Sequence, residues 1–192
     1  MGIFGIFQTY IDKSSAITIF VLFLLSLYLI ITLWIFIYRY FSIKSRIRTE
    51  TRSMNKLYMG RTKTVDEKSL LFTFLSKVLI PNKAILSAGI NTAIKGATSG
   101  LTGLSIIAST SPFIGLFGTV VAILETFSSL GTQKGTSIAI VAPAISEALV
   151  ATAAGIAVAT FAYSFHLILK RKAYELHLLL ESQADLILSQ KG

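Results

Sequence analysis

"IAIVAPAISEALVATAAGIAVATFAY", residues 138–163, decides how this chain folds. Nearly every residue in it is small or apolar, and one carboxylate, Glu147, stands in its middle. A run of this length and composition suits a helix that crosses a bilayer, which needs about 20 mostly apolar residues. A charge at bilayer depth costs roughly 2.5–3.5 kcal/mol on insertion scales. The glutamate is therefore either protonated and hydrogen-bonded to a Ser or Thr, or it faces a pore and takes part in proton or ion passage.

The rest of the composition agrees with a membrane setting. Of 192 residues, 53% are hydrophobic and 14% charged, against about 25% charged in soluble domains. Mean hydropathy is +0.71. There are no cysteines, which excludes disulfides and thiolate metal sites. The net charge of +9 does not point to nucleic acid, because the basic residues flank the hydrophobic runs.

Three runs are long enough to span, and the expected fold is an all-α integral membrane protein with three transmembrane helices. Residues 1–13 form an outer N-terminal stretch and 14–38 the first span. Residues 39–95 are a basic helical cytoplasmic region, and 96–124 the second span. Residues 125–135 make an outer link, 136–169 the third span, and 170–192 a cytoplasmic amphipathic helix. The first run is too long for a signal peptide and reads as a retained anchor. Orientation follows from Arg39, Lys44, Arg46 and Arg48 after the first span and Lys170, Arg171 and Lys172 after the third. Only Lys13 and Lys134 lie on the opposite side, so the N-terminus is outside and the C-terminus inside. These inner cations suit anionic phospholipid; a specific regulatory site is the alternative.

Between the spans, no breaker precedes Gly60, so the first helix continues to about residue 59. Thr64 and Glu67 have capping-box spacing and predict a helix over 65–79 that stops before Pro81. Asn82 is placed to cap the next helix, which runs without a break into the second span. In the tail, Leu176, Leu179, Leu180, Leu186 and Ile187 recur at helical spacing. That face packs either on the other cytoplasmic helices or on the membrane surface.

In the second span Ser105, Pro112, Thr119 and Thr126 recur every seven residues, with Ser109, Gly115 and Ala122 on the same side. This small, polar stripe is either a close-packing seam or the border of a polar conduit. Pro112 should bend or loosen the helix, with Thr110 and Ser111 satisfying the freed groups, as a packing kink or a gate. The third span is richer still in small residues, more than one chain can cover, which argues for an oligomer through spans two and three. Pro143, Glu147, Ala151, Ala154 and Val158 share a face, and Thr152 lies about 140° round from Glu147 on an ideal helix. Glu125 and His166 are expected at the two interfaces. Neither His166 nor His177 has the partners a metal site needs, and no phosphate loop or nucleophile set occurs, so no cofactor and no enzyme are expected.

"TSPFIGLFGTVVAILETF" (residues 110–127) and "VAPAISEALVATAAG" (residues 141–155) resemble the paired motifs of the MotA/TolQ/ExbB proton-channel family, most closely its ExbB/TolQ branch. The resemblance implies a homopentamer in the bacterial inner membrane around the helices of an ExbD/TolR-type partner. It implies coupling of the proton gradient to a periplasm-spanning TonB- or TolA-type protein. By the same resemblance Glu147, Thr119 and Thr152 line the proton pathway, and the carrying aspartate belongs to the partner. Pro112, Pro143, Gly115, Gly118 and Gly155 become packing or kink positions. Ala122 and Ala144 stand where the family often has glycine, Ser146 where it has alanine, and Glu125 where it is usually neutral. A small-solute exporter with Glu147 as counter-charge and a non-conducting membrane scaffold are the other classes the residues allow.

Overall fold

The computed structural model describes residues 16–59, 66–76, 82–130 and 138–189. Among these all regular structure is helical: α1 Ala16–Tyr58, α2 Phe72–Leu75, α3 Lys83–Thr98, α4 Leu101–Leu130 and α5 Ile138–Ser189. Helices α1, α4 and α5 are each long and apolar enough to cross a membrane. Residues 1–15, Thr64, Pro81 and residues 131–137 with Lys134 lie outside the described residues, while 125–130 of the expected link belong to α4.

The chain divides into two compact units. The first holds the described part of Met1–Trp34 with Gly103–Ser164, and the second holds Ile35–Thr102 with the described part of Phe165–Gly192. In the first unit a core of Val21, Leu25, Ile107, Ala151, Val158 and Ala162 joins α1, α4 and α5. Buried positions on α1 there are Thr18, Val21, Leu25 and Thr32, spaced by three, four and seven residues, which is one stripe of a helix. Its other sides expose large apolar groups such as Phe20, Phe23 and Trp34, the last 72% exposed.

In the second unit Leu57 and Ile187 pack together with Phe72 and Leu75. The tail of α5 thus takes the first of its two expected roles: Leu176, Leu180 and Ile187 are buried against protein. Phe36 stacks on Phe165 with ring centroids 4.0 Å apart. A polar node lies in this unit. Glu50 is 1% exposed, and its carboxylate accepts from the Ser69 hydroxyl at 2.8 Å, the Leu70 N–H at 2.8 Å and Gln183 Nε2 at 3.1 Å. Gln183 Nε2 also reaches the Glu50 carbonyl at 2.9 Å.

Two local expectations are corrected. A longer helix was expected over 65–79; among its described residues, 66–76, residues 67–71 form turns and bends and Phe72–Leu75 is helical. Glu67 lies in a turn. Glu50 draws the Ser69 hydroxyl and Leu70 N–H to itself, so tertiary hydrogen bonds outweigh the local capping preference. The helix opened at Asn82 is capped as expected, with Oδ1 accepting from the Ile85 N–H at 2.9 Å. It does not run unbroken into the second span. It ends at Thr98, Ser99 is extended, and Gly100 has φ +91°, a conformation glycine adopts without a Cβ penalty. Arg39 Nη1 donates to the Gly96 carbonyl at 3.2 Å, satisfying one of the groups left over at the end of α3. His166 Nδ1 lies 3.0 Å from the Leu101 carbonyl oxygen, so this nitrogen carries the proton and donates.

Replacing Gln183 by Leu takes two hydrogen bonds from the Glu50 node, and stability should fall by about 2–3 kcal/mol. Thermal unfolding of the purified protein and hydrogen exchange of residues 66–71 both report it; no change in either would show that the node does not hold the turn. Asp66 adds a pH dependence. The Lys56 ammonium at 2.5 Å and the Lys68 N–H hold its carboxyl below the unfolded value of 3.8. A depressed folded value means that its contribution is complete above 3.8 and vanishes as the pH falls through the lower folded value. Asp66→Asn should flatten the acid-side rise in exchange at residues 66–71.

Candidate functional site

Helices α4 and α5 meet in the first unit at two glycines. A Cβ on Gly115 would stand 2.6 Å from the Ala151 carbonyl oxygen and 3.0 Å from Thr152 Cα. A Cβ on Gly155 would stand 2.6 Å from the Ser111 carbonyl oxygen and 3.1 Å from Gly115 Cα. Backbone therefore touches backbone, which only residues without a side chain permit. Gly118, on another side of α4, packs under Val21 of α1, where a Cβ would be 3.0 Å from Val21 Cγ1.

One turn beyond the glycine contact, the hydroxyls of Thr119 and Thr152 share a short hydrogen bond across the two helices. Thr119 Oγ1 is also 3.1 Å from the Ala148 carbonyl and 3.3 Å from that of Gly115. Thr152 Oγ1 is 3.3 Å from the Gly115 carbonyl. Each hydroxyl owns one proton. One hydroxyl therefore donates to the other, and the second donates to a carbonyl. Thr119 is 8% exposed and Thr152 half-buried, so Thr152 is the member with surface. The two threonines meet within a single chain, although Thr152 is turned well away from Glu147 on α5.

Glu147 is half-buried, directly before Ala148, whose carbonyl faces Thr119. It lies five residues, about 7–8 Å along the axis, from Thr152. Pro143, one turn earlier, is exposed and α5 continues through it. α4 likewise continues through Pro112. The hydroxyls near Pro112 do not meet the carbonyl it frees, that of Ala108. Thr110 and Ser111 donate to Ile106 and Ile107 instead, at 2.8 and 2.6 Å.

The small stripe of α4 proves to be two surfaces. Gly115 and Thr119 are buried in the seam and Ala122 is buried, whereas Ser105 and Ser109 are exposed and Pro112 is half-buried. Glu125 is exposed as expected. In the second unit, Arg46, Arg48, Lys170 and Arg171 are exposed. Arg39 is committed to the Gly96 carbonyl, Lys44 lies 5.7 Å from the Tyr40 ring centroid, and Lys172 pairs with Glu175 at 2.6 Å.

Buried polar groups not singled out from sequence include Thr18 and Thr32 on α1, and Glu50 and Gln183 in the node. The last two had a signal. Each occupies a position on the buried stripe of its helix, where apolar residues recur at three- and four-residue intervals.

The sequence pattern of the MotA/TolQ/ExbB proton channel family matches residues 80–182, just over half of the chain. An ExbB-like biopolymer transport protein of Helicobacter pylori is 44% identical over 186 residues, covering 95% of this chain and 96% of the relative. The biopolymer transport protein ExbB of Neisseria gonorrhoeae is 52% identical over 69 residues, 34% of this chain and 31% of the relative. The Tol-Pal system protein TolQ of Pseudomonas aeruginosa is 51% identical over 53 residues, 28% of this chain and 23% of the relative.

Gly115→Ala or Gly155→Ala must part the two backbones, since each new Cβ falls 2.6 Å from a carbonyl oxygen. Each should lower stability by on the order of 1–3 kcal/mol. Gly96→Ala, with nothing within 4 Å of the added atom, should be neutral or slightly stabilising. Thermal unfolding in detergent compares the three; equal melting temperatures would refute a backbone-tight seam.

Proposed function

This chain belongs to the MotA/TolQ/ExbB proton channel family, and from that premise we propose that it is an ExbB/TolQ-type subunit of a proton-driven complex in the bacterial inner membrane. It is a multi-pass membrane protein of a channel class rather than an enzyme. The N-terminus lies outside. The residues after α1's apolar half, and the tail of α5, lie inside, where the exposed cations Arg46, Arg48, Lys170 and Arg171 meet anionic phospholipid.

The observation that carries the proposal is the hydroxyl pair Thr119–Thr152 set above the glycine contact of α4 and α5, with Glu147 one to two turns away. A hydroxyl both donates and accepts, so a paired set can pass a hydrogen bond to a third group without changing charge. Thr152, the half-buried member, is the one that presents to a lumen. Five copies place such pairs around the helices of an ExbD/TolR-type partner, whose intramembrane carboxylate carries the proton. Glu147 is the polar wall that this carboxylate meets. α1, with Phe20, Phe23 and Trp34 exposed, is the lipid-facing helix. The complex does no covalent chemistry; it converts proton passage into movement of a TonB- or TolA-type protein that crosses the periplasm.

Glu147→Ala should abolish energy transduction while the protein still inserts and still co-purifies with its partner. TonB- or Tol-dependent growth at the normal rate would sink the role. Thr119→Val and Thr152→Val keep the shape and remove the hydroxyl. They should reduce proton flux in reconstituted vesicles about 10-fold or more, a barrier change of about 1.4 kcal/mol. Complexes that fall apart on purification would show both threonines to be packing residues instead.

A further inference from the structure

Five hydroxyls gather along an open groove in the first unit, between the early turns of α4 and the late turns of the apolar part of α5. They belong to Ser105, Ser109, Thr160, Tyr163 and Ser164. Ala108 and Ala159 complete the walls, and their small side chains leave the floor wide. The groove has a volume of about 500 Å³, room for a file of waters that each take about 30 Å³ in the liquid.

The hydroxyls divide into two sets. Ser109 and Thr160 donate to carbonyls of their own helices, those of Ile106 at 3.0 Å and Ile156 at 2.9 Å. That is how a Ser or Thr satisfies itself in an apolar surround. Ser105, Tyr163 and Ser164 make no such bond to any described residue, and all three are exposed, Tyr163 by 58%. Three unsatisfied hydroxyls facing lipid tails would each cost about 1–3 kcal/mol. Other sides of the same helices expose apolar groups instead, Ile106 and Phe161 among them.

We propose that this groove is the inner wet half of the proton route: a water file along Ser105, Tyr163 and Ser164 that joins the cytoplasm to the lumen at Thr119 and Thr152. The inference rests on the channel reading and orientation above. Lys170, Arg171 and Lys172 follow Ser164 by six to eight residues, about 9–12 Å of helix, so the groove opens close to the inner interface. Its other end stops short of the threonines. Ser109 is ten residues from Thr119 and Thr160 eight from Thr152, about 15 and 12 Å. The direct line between the helices is closed by the backbone contact at Gly115 and Gly155. Water therefore leaves the seam dry and continues over its open side, through the lumen of the assembled ring. Each relay water or hydroxyl takes a proton on one side and gives up its own on the other, so no group on the route ends with a changed charge.

The chain has no cysteine, so single thiols can be placed without a background. A thiol reacts as its thiolate, which forms in water and not in lipid. In inside-out vesicles holding the full complex, a charged methanethiosulfonate reagent should modify Ser105→Cys and Ser164→Cys at least ~10-fold faster than Ile106→Cys and Phe161→Cys. Modification of Ser164→Cys should then block proton uptake. Equal labelling of all four positions overturns the proposal. So does labelling that appears only when the partner protein is absent, because the groove would then be a helix-docking surface. Proton uptake unchanged after complete modification overturns it too. Labelling reads water regardless of coupling. Failure here with an inert Glu147→Ala variant removes only the groove, whereas fast labelling and blocked uptake with an active Glu147→Ala variant removes only the role given to Glu147.

Discussion

The contact between Gly115 and Gly155 is the constraint on which the membrane unit depends. Lipid tails are as apolar as leucine, so two helices in a bilayer gain nothing by hiding leucines from their surroundings. They gain by close packing, and packing is closest where no Cβ intervenes. The 2.6 Å that a Cβ would find on either glycine shows how little space is left. That closeness brings Thr119 and Thr152 within reach of each other one turn on, since a threonine side chain can bridge only a short gap. A seam one methyl wider would separate the hydroxyls and leave each to its own helix.

The same helix α5 obeys two different rules along its length. In the first unit its buried positions are Ala148, Ala151, Gly155, Val158 and Ala162; in the second they are Leu169, Leu176, Leu180 and Ile187, with Ala173, Gln183 and Ala184 between. The spacing of three and four is unchanged, so the face that packs is continuous. What changes is the driving force. Water favours burial of large apolar side chains, at roughly 25 cal/mol per Å², while lipid favours small ones that let backbones approach. The change from alanine and glycine to leucine coincides with the boundary between the two units at Ser164 and Phe165.

The polar groups follow the same logic of satisfaction. Several hydroxyls within the apolar part bond to carbonyls of the preceding turn, as Ser111 and Thr126 do at 2.6 and 2.8 Å, or to each other, as the threonine pair does, whereas Thr32 Oγ1 is buried with no partner among the described residues. In the second unit Glu50 is tolerated at 1% exposure because three donors surround its carboxylate. Its burial reshapes the chain locally, since the Ser69 and Leu70 donors it captures are no longer spent on a helix. The exposed hydroxyls of Ser105, Tyr163 and Ser164 make no such bond among the described residues.

Much was legible in the sequence alone. Three apolar runs, a cap at Asn82, the helical spacing of the tail and the motifs around residues 110–127 and 141–155 are local properties, set by side-chain type and chain order. Local patterns could not show which side of the α4 stripe packs and which stays open, because Ser105, Ser109 and Thr119 look alike until a neighbouring helix covers one of them. Nor could they show the turn at residues 66–71, where the Glu50 carboxylate, nineteen and twenty residues before the Ser69 and Leu70 donors it binds, outweighs a good capping signal. The break at Ser99 and Gly100 was likewise hidden. A glycine is only permissive, and the break is flanked by contacts from distant parts of the chain, Arg39 to the Gly96 carbonyl and His166 to that of Leu101. Side-chain chemistry thus determined where helices form and what solvent they meet. Tertiary structure decided which polar groups find one another, because hydrogen bonds reach only about 3 Å and a sequence does not state which distant residues come that close.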